Sequence, residues 1–194
     1  YGPDMGAYYA IESNDYTVLD HPNFNWIELD PEYSGNDATR LFLSDDEVTT
    51  VELPFPITMY GQTHNQLSIC SNGWVSLGET WMANFRNWNL PSSLGPPNLI
   101  AAFWDDLKPV YTENNDSTFV PVYWRFDETE GRITVAWSRC WSRYAWENEG
   151  QPEHRFQIVF YDQNQRPTIS GDTEFIVQHK AVTDVDIDNN FSTV

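Results

Sequence analysis

The chain contains one passage, LPFPITMYGQTHNQLSICSNGWVSLG at Leu53–Gly78, in which extended runs alternate with tight turns. Leu67 and Ile69 share one face of an extended run, whereas Gln66 and Ser68 share the other. Apolar and polar residues that alternate with a period of two are typical of a half-buried β-strand. This passage therefore constrains the chain towards antiparallel β-structure more strongly than any other stretch.

A two-residue hairpin turn is predicted at Asn72–Gly73, because Asn and Gly tolerate the positive φ that a type I′ turn requires. Val75 and Leu77 then resume the alternation, with Trp74 and Ser76 on the opposite face. The passage is thus predicted to be a β-hairpin. None of its side chains marks a nucleophile or a metal site.

The rest of the chain continues this pattern of short strands separated by turns. Pro54 and Pro56 exclude a central strand position and favour an edge or a bend. Four further strands are predicted at Phe119–Phe126, Arg132–Trp141, Arg155–Tyr161 and Glu174–Lys180. We therefore expect an all-β fold, an antiparallel β-sandwich of jelly-roll-like or immunoglobulin-like form with long loops. Residues 1–50 are predicted to be an N-terminal extension that packs on a domain at residues 51–194, together forming one structural unit.

The charge of the chain excludes several classes of partner. Ten Lys and Arg residues stand against 29 Asp and Glu residues, so the formal net charge is -19. This charge repels nucleic-acid phosphates and anionic membranes, and it favours solubility and cation binding. No apolar run is long enough to span a bilayer, so membrane insertion is not expected. Because Tyr1 is not an initiator Met, we expect a piece of a longer protein whose neighbouring domains are partners.

The two cysteines leave two alternatives open. Cys70 and Cys140 are far apart in sequence, and neither has a metal-ligating residue at short spacing. A disulfide between them would close a long loop and contribute about 4 kcal/mol. Two free thiols are equally compatible with the sequence.

Several pieces of the chain together carry a family resemblance: YGPD, NWIE, LPFPITMYG, SICSNGWVSLG, FRNWNLPSSLGPPNLIAAFWDDL, RFQIVFYD and NNFSTV. They resemble an accessory β-sandwich domain of large secreted and cell-surface bacterial proteins. That domain accompanies gingipain-like cysteine peptidases and proteins with C-terminal sorting modules, and SNGWVSLG and AFWDDL are also distantly similar to nidogen-type extracellular domains. The resemblance implies a secreted or cell-surface β-sandwich used as an accessory or adhesive module, and it carries over no catalytic residue.

Calcium is the cofactor that the sequence best supports. Asp184, Asp186 and Asp188 alternate, so their carboxylates would lie on one side of a strand and form a cluster of hard oxygen ligands. The EF-hand pattern is excluded because its Gly and terminal Glu are missing. Asp105 and Asp106 follow a buried-looking run and are further candidate ligands. The alternative for every one of these residues is ordinary capping of a turn.

A set of loop aromatics forms the candidate ligand-binding surface. Exposed aromatic rings stack on sugars or anchor protein partners, although Trp side chains are more often buried. The candidates are Trp81, Trp88, Trp141, Tyr144 and Trp146. They favour an adhesive function towards glycans or surface proteins, with a dedicated carbohydrate-binding module as the alternative.

Catalysis is a further alternative with weak support. The chain offers four His residues and two thiols, but no nucleophile elbow or peptidase signature surrounds them. Paired carboxylates are the requirement of a glycosidase, and an acidic chain provides many accidental pairs. The sequence therefore predicts a non-catalytic accessory domain, and part of a secreted peptidase or glycosidase is the alternative.

Overall fold

The computed structural model describes residues 24–88, 90, 93–109, 119–142 and 153–182. The described part of the chain contains one short 3₁₀-helix at Pro31–Tyr33 and ten strands. The strands are β1 Thr39–Leu43, β2 Val48–Met59, β3 Gln62–Cys70, β4 Trp74–Leu77, β5 Leu99–Ala101, β6 Leu107–Pro109, β7 Val120–Asp127, β8 Arg132–Ser142, β9 His154–Tyr161 and β10 Phe175–Ala181. Within these residues, no helix has both the length and the apolar character needed to cross a membrane.

The strands form two antiparallel sheets. The larger sheet has the order β1-β7-β8-β9-β10, and β6 pairs with the far end of β8. The smaller sheet has the order β2-β3-β4-β5. The sheets pack face to face, and the predicted all-β sandwich is confirmed. The four strands predicted in the second half of the chain correspond to β7, β8, β9 and β10.

The main core lies between the inner faces of the two sheets. Alternation along each strand places every second side chain there, which is the arrangement that the period-two pattern predicts. Its fully buried members include Ile57, Leu67, Ile69, Val75, Val122, Ile133, Val135, Trp137, Phe156, Ile158 and Phe160. Trp137 and Phe156 stack at a centroid separation of 5.1 Å, so the core is held by aromatic packing at its centre.

Strand β2 lies at the edge of the smaller sheet, as its prolines predict. Its register with β3 shifts between Glu52 and Ile57, the segment that contains Pro54 and Pro56. Proline lacks the N–H that a central strand must donate, so a strand with two prolines is tolerated only at an edge or a bulge. The prediction of an edge position is therefore confirmed.

The predicted turn type at Asn72–Gly73 is wrong. Ile69 pairs with Val75, so Ser71, Asn72 and Gly73 form a three-residue connection, and only Gly73 has a positive φ, at 81°. Asn72 instead uses its side chain, since Nδ2 donates to Asp46 (2.7 Å). Its Oδ1 accepts from the backbone N–H of Leu107 (3.0 Å). A buried amide with two partners holds the turn in place of a second left-handed residue.

A two-residue turn with positive φ occurs one hairpin earlier, at Tyr60–Gly61. Their φ values are 50° and 72°, and Met59 pairs with Gln62. Both turn N–H groups donate to the carboxylate of Asp172, at 3.1 and 2.9 Å. This clamp stabilises a left-handed Tyr60, which its own side chain disfavours.

The C-terminal half of β3 is buried on both faces, which corrects the prediction of a half-buried strand. Ser68 and Cys70, on the supposed polar face, are fully buried. Cys70 packs with Trp74 and Trp104 in a small second core outside the smaller sheet. Cys70 and Cys140 are both free thiols, and they do not form the disulfide that was one of the two alternatives. Burial raises the pKa of Cys70 to about 12.

Residues 24–36 cross the outer face of the larger sheet. Ile27 and Leu29 pack there in a separate cluster with Tyr123, Ala136, Val159 and Tyr161. The Asp30 carboxylate is buried and pairs with Arg139, at 2.7 Å. The segment and β1 thus contribute to the sandwich itself, and residue 50 falls within β2.

Candidate functional site

The connection between β4 and β5, residues 78–98, is the loop that carries two of the predicted binding tryptophans. The loop is anchored at Asn84, whose carbonyl accepts two indole N–H groups from buried side chains. Trp74 Nε1 donates to it at 3.1 Å and Trp104 Nε1 at 3.0 Å. Buried indoles need an acceptor, and here the loop backbone provides it for both.

The side chain of Asn84 holds the two halves of the loop together. Its Nδ2 donates to the carbonyl of Leu94 (3.0 Å), and its Oδ1 accepts from the N–H of Arg86 (3.0 Å). The ends of the loop are tied to the smaller sheet, because Thr80 N–H donates to Ser68 Oγ (3.0 Å) and Ser76 Oγ to the carbonyl of Pro97 (2.7 Å). The loop is therefore attached to the sandwich at both ends and in the middle.

This anchored loop presents an apolar surface to solvent. Trp81 is 85% exposed and Trp88 is 39% exposed. The other exposed apolar side chains of the loop, which sequence reasoning missed, are Met82, Leu90 and Leu94. We call these five residues the Trp81 patch. A large indole kept in water forgoes the transfer free energy that burial would provide, so this loop is a candidate interaction surface, and the binding role of Trp81 and Trp88 stays a prediction.

The remaining aromatic candidates belong to segments outside this loop. Trp141 lies near the end of β8, opposite Lys108 of β6, and is half-buried in the larger sheet. Tyr144 and Trp146 lie outside the described residues. The binding role of the five predicted aromatics stays a prediction.

The predicted carboxylate pair has two different environments. Asp105 is buried and accepts from the hydroxyl of Ser142, which lies 3.1 Å from Nε2 of His154. Asp105 Oδ1 also accepts from the N–H of Asp106 (2.8 Å). The Asp105 side chain thus accepts hydrogen bonds from buried donors, and its predicted role as a metal ligand stays a prediction.

Asp106 instead approaches two carboxylates from the turn between β1 and β2. One oxygen each of Asp45, Asp46 and Asp106 lies within 4.8 Å of the others, an arrangement that suits a hard cation. The acidic run at residues 45–47 was the only sequence signal for the first two. Asp184, Asp186 and Asp188 lie outside the described residues, so their predicted calcium site stays a prediction.

The Ser142, His154 and Asp105 cluster does not have the order of a hydrolytic triad. Ser142 lies between the carboxylate and the imidazole, and its hydroxyl proton is directed to Asp105. A nucleophilic serine needs the imidazole as its acceptor and the carboxylate beyond it. Cys140 contacts the backbone carbonyl of His154 rather than its ring, and burial raises the pKa of its thiol. These side chains are suited to a buried polar network.

Two packed antiparallel sheets with an anchored aromatic loop define an all-β sandwich domain. Residues 16–186 match the family described as NIDO related, so the chain belongs to this nidogen-related family. The nidogen-like part of the predicted resemblance is thus confirmed, and a nidogen-related domain fits an extracellular setting. The association with gingipain-like peptidases and sorting modules stays a prediction. Comparisons with curated proteins and with solved structures found no match.

Proposed function

We propose that the chain is a non-catalytic accessory domain of a larger secreted or cell-surface protein, and that it adheres to a partner through the Trp81 patch. One observation carries the proposal: an indole that is 85% exposed stands on a loop tied to the sandwich at both ends and at Asn84. Tryptophan is among the residues that contribute most binding energy when a partner desolvates them.

The anchoring of the loop supports recognition because it reduces the entropic cost of binding. A flexible loop loses conformational freedom when it binds, at about 1–2 kcal/mol for each residue whose backbone becomes fixed. The backbone around Asn84 is already held by four hydrogen bonds of the carbonyl and side chain. Folding has therefore already fixed part of the loop that carries Trp81, and binding loses less conformational entropy.

A carbohydrate is the alternative ligand of the same patch. The exposed face of Trp81 is available for stacking on a sugar ring, and stacking of this kind tolerates many sugars. Carbohydrate binding and protein binding would both use Trp81, and they differ only in the class of partner. Both agree with a non-catalytic domain.

The proposal is tested by binding of the purified chain to a panel of neutral polysaccharides and extracellular proteins, first with calcium and then with a chelator. We expect a ligand whose binding is lost in Trp81→Ala and weakened in Trp88→Ala. Ile169→Ala is the matched control, because Ile169 is fully exposed on a different loop. Equal binding by all three variants would remove the patch from the function, and hydrolysis of a panel member would contradict a non-catalytic domain.

A further inference from the structure

We propose that the Trp81 patch docks a polypeptide whose contact surface is apolar at its centre and positively charged at its rim. This inference rests on the proposed function and names its partner class. Five of the twelve exposed large apolar side chains of the described residues belong to this one patch. Scattered exposed apolar residues are normal, whereas a cluster on one loop indicates a binding surface.

The stretch that carries the patch has the composition of the centre of a protein–protein interface. All 29 acidic residues of the chain lie outside residues 80–104, and Arg86 is the only charged side chain within that stretch. Interface centres are depleted in Asp, Glu and Lys and enriched in Trp, Phe, Met and Arg. An acidic protein that keeps the stretch after Glu79 free of carboxylates spares a partner the desolvation of those charges.

The negative charge of the chain outside the Trp81 patch favours a partner with positive charge around its contact surface. The chain carries a formal net charge of -19, and Glu79 is exposed two residues before Trp81. Complementary potentials accelerate association and exclude partners of the same sign. A second copy of this chain and anionic glycans are therefore disfavoured, and a surface with Lys or Arg around its apolar centre is favoured.

The polar groups beside the patch favour a polypeptide over a sugar. A sugar site combines an aromatic face with polar side chains that are free to bond hydroxyl groups. The Asn84 amide faces this loop, but its Nδ2 and its Oδ1 already bond Leu94 and the backbone of Arg86. Besides Trp81 and Trp88, the exposed apolar side chains of this loop are aliphatic, namely Met82, Leu90 and Leu94. Such side chains match an apolar protein surface.

The experiment is selection of a random peptide display library on the full chain, with counter-selection on the Trp81→Ala variant. We expect enriched peptides that combine aromatic or aliphatic residues with flanking Lys or Arg. Synthetic versions should bind at least about tenfold more weakly to Trp81→Ala. Met82→Asp is a second variant that should weaken binding, and Ile169→Ala should bind like the unmodified chain. Thermal unfolding of each variant checks that it is folded.

Four outcomes would overturn the inference. The first is an absence of Trp81-dependent enrichment, and the second is enrichment of neutral or acidic peptides. The third is a dimer in analytical ultracentrifugation that Trp81→Ala dissociates. The fourth is Trp81-dependent binding of a neutral polysaccharide, which would leave the proposed function standing with a sugar as its ligand. If Trp81→Ala and the unmodified chain bind every ligand equally, both this inference and the proposed function are contradicted.

Discussion

At the scale of single residues, one glycine has a requirement that no other residue meets. Gly73 has a φ of 81°, and its carbonyl accepts from the N–H groups of Ala102 and Phe103, both at 3.1 Å. A Cβ at this position would lie 1.8 Å from the carbonyl oxygen of Phe103. The close approach joins the β3–β4 turn to the segment that leads to Asp105 and Asp106.

Gly73→Ala should therefore lower the free energy of unfolding by about 3 kcal/mol or more, because backbone strain is added to a clash with backbone. Gly61→Ala is the matched control, with a φ of 72° and open space around the added Cβ. It should cost only about 1 kcal/mol of backbone strain. Urea unfolding of the two variants measures the difference, and equal losses would contradict the role of the clash.

At the scale of elements, the segment at residues 24–36 depends on a buried ion pair. Asp30 accepts from Arg139 and from the hydroxyl of Tyr123 (3.2 Å). A bulge in β8 and a left-handed Arg139, with a φ of 52°, turn the guanidinium towards the segment. Although burial alone would raise the pKa of Asp30, the hydrogen bonds and charge of Arg139 hold it below its ordinary value of 3.8.

This ion pair predicts a pH dependence of stability. A carboxyl whose pKa is lowered by folding stabilises the fold above its ordinary pKa, and this stabilisation is lost as the pH falls through the folded value. Asp30→Asn should be less stable than the unmodified chain at pH 7, and the difference should shrink below about pH 4. Urea unfolding from pH 7 to pH 2.5 measures it. A difference that stays constant with pH would contradict the role of the Asp30 charge.

The carboxylates of Asp45, Asp46 and Asp106 are the candidate calcium ligands in the described residues. If calcium binds there, it should stabilise the fold by about 2.7 kcal/mol at a concentration one hundred times its Kd. Thermal unfolding with added calcium measures this effect, and Asp106→Asn should abolish it. Glu130→Gln, at an exposed turn between β7 and β8, is the control that should respond like the unmodified chain. Equal responses of the two variants would place any calcium elsewhere.

At the scale of the whole molecule, the net charge of -19 opposes the compact state by self-repulsion. The Debye length falls from about 30 Å at 0.01 M salt to about 8 Å at 0.15 M. Raising NaCl over this range should therefore raise the Tm, by about 2–4 °C for each kcal/mol of relieved repulsion. Differential scanning calorimetry measures the change, and a Tm that falls with salt would show that local ion pairs dominate.

Prediction from sequence succeeded where the signal is local. Alternation over a few residues indicated β7 to β10, and two prolines placed β2 at an edge. The predicted type of the Asn72–Gly73 turn was wrong, because the conformation of this turn depends on Asp46 and Leu107, which are distant in sequence. The prediction that one face of β3 is exposed was wrong for a similar reason, since Trp104 and the β4–β5 loop cover that face.

The sequence by itself determined the all-β class, the edge prolines and the acidic surface, because these depend on period, backbone chemistry and composition. Only the tertiary structure decided that Trp74 and Trp104 share the Asn84 carbonyl, and that Asp106 meets the Asp45–Asp46 turn. These contacts join segments from separate connections of the sandwich. No local pattern encodes which distant segments meet, because sheet packing brings them together.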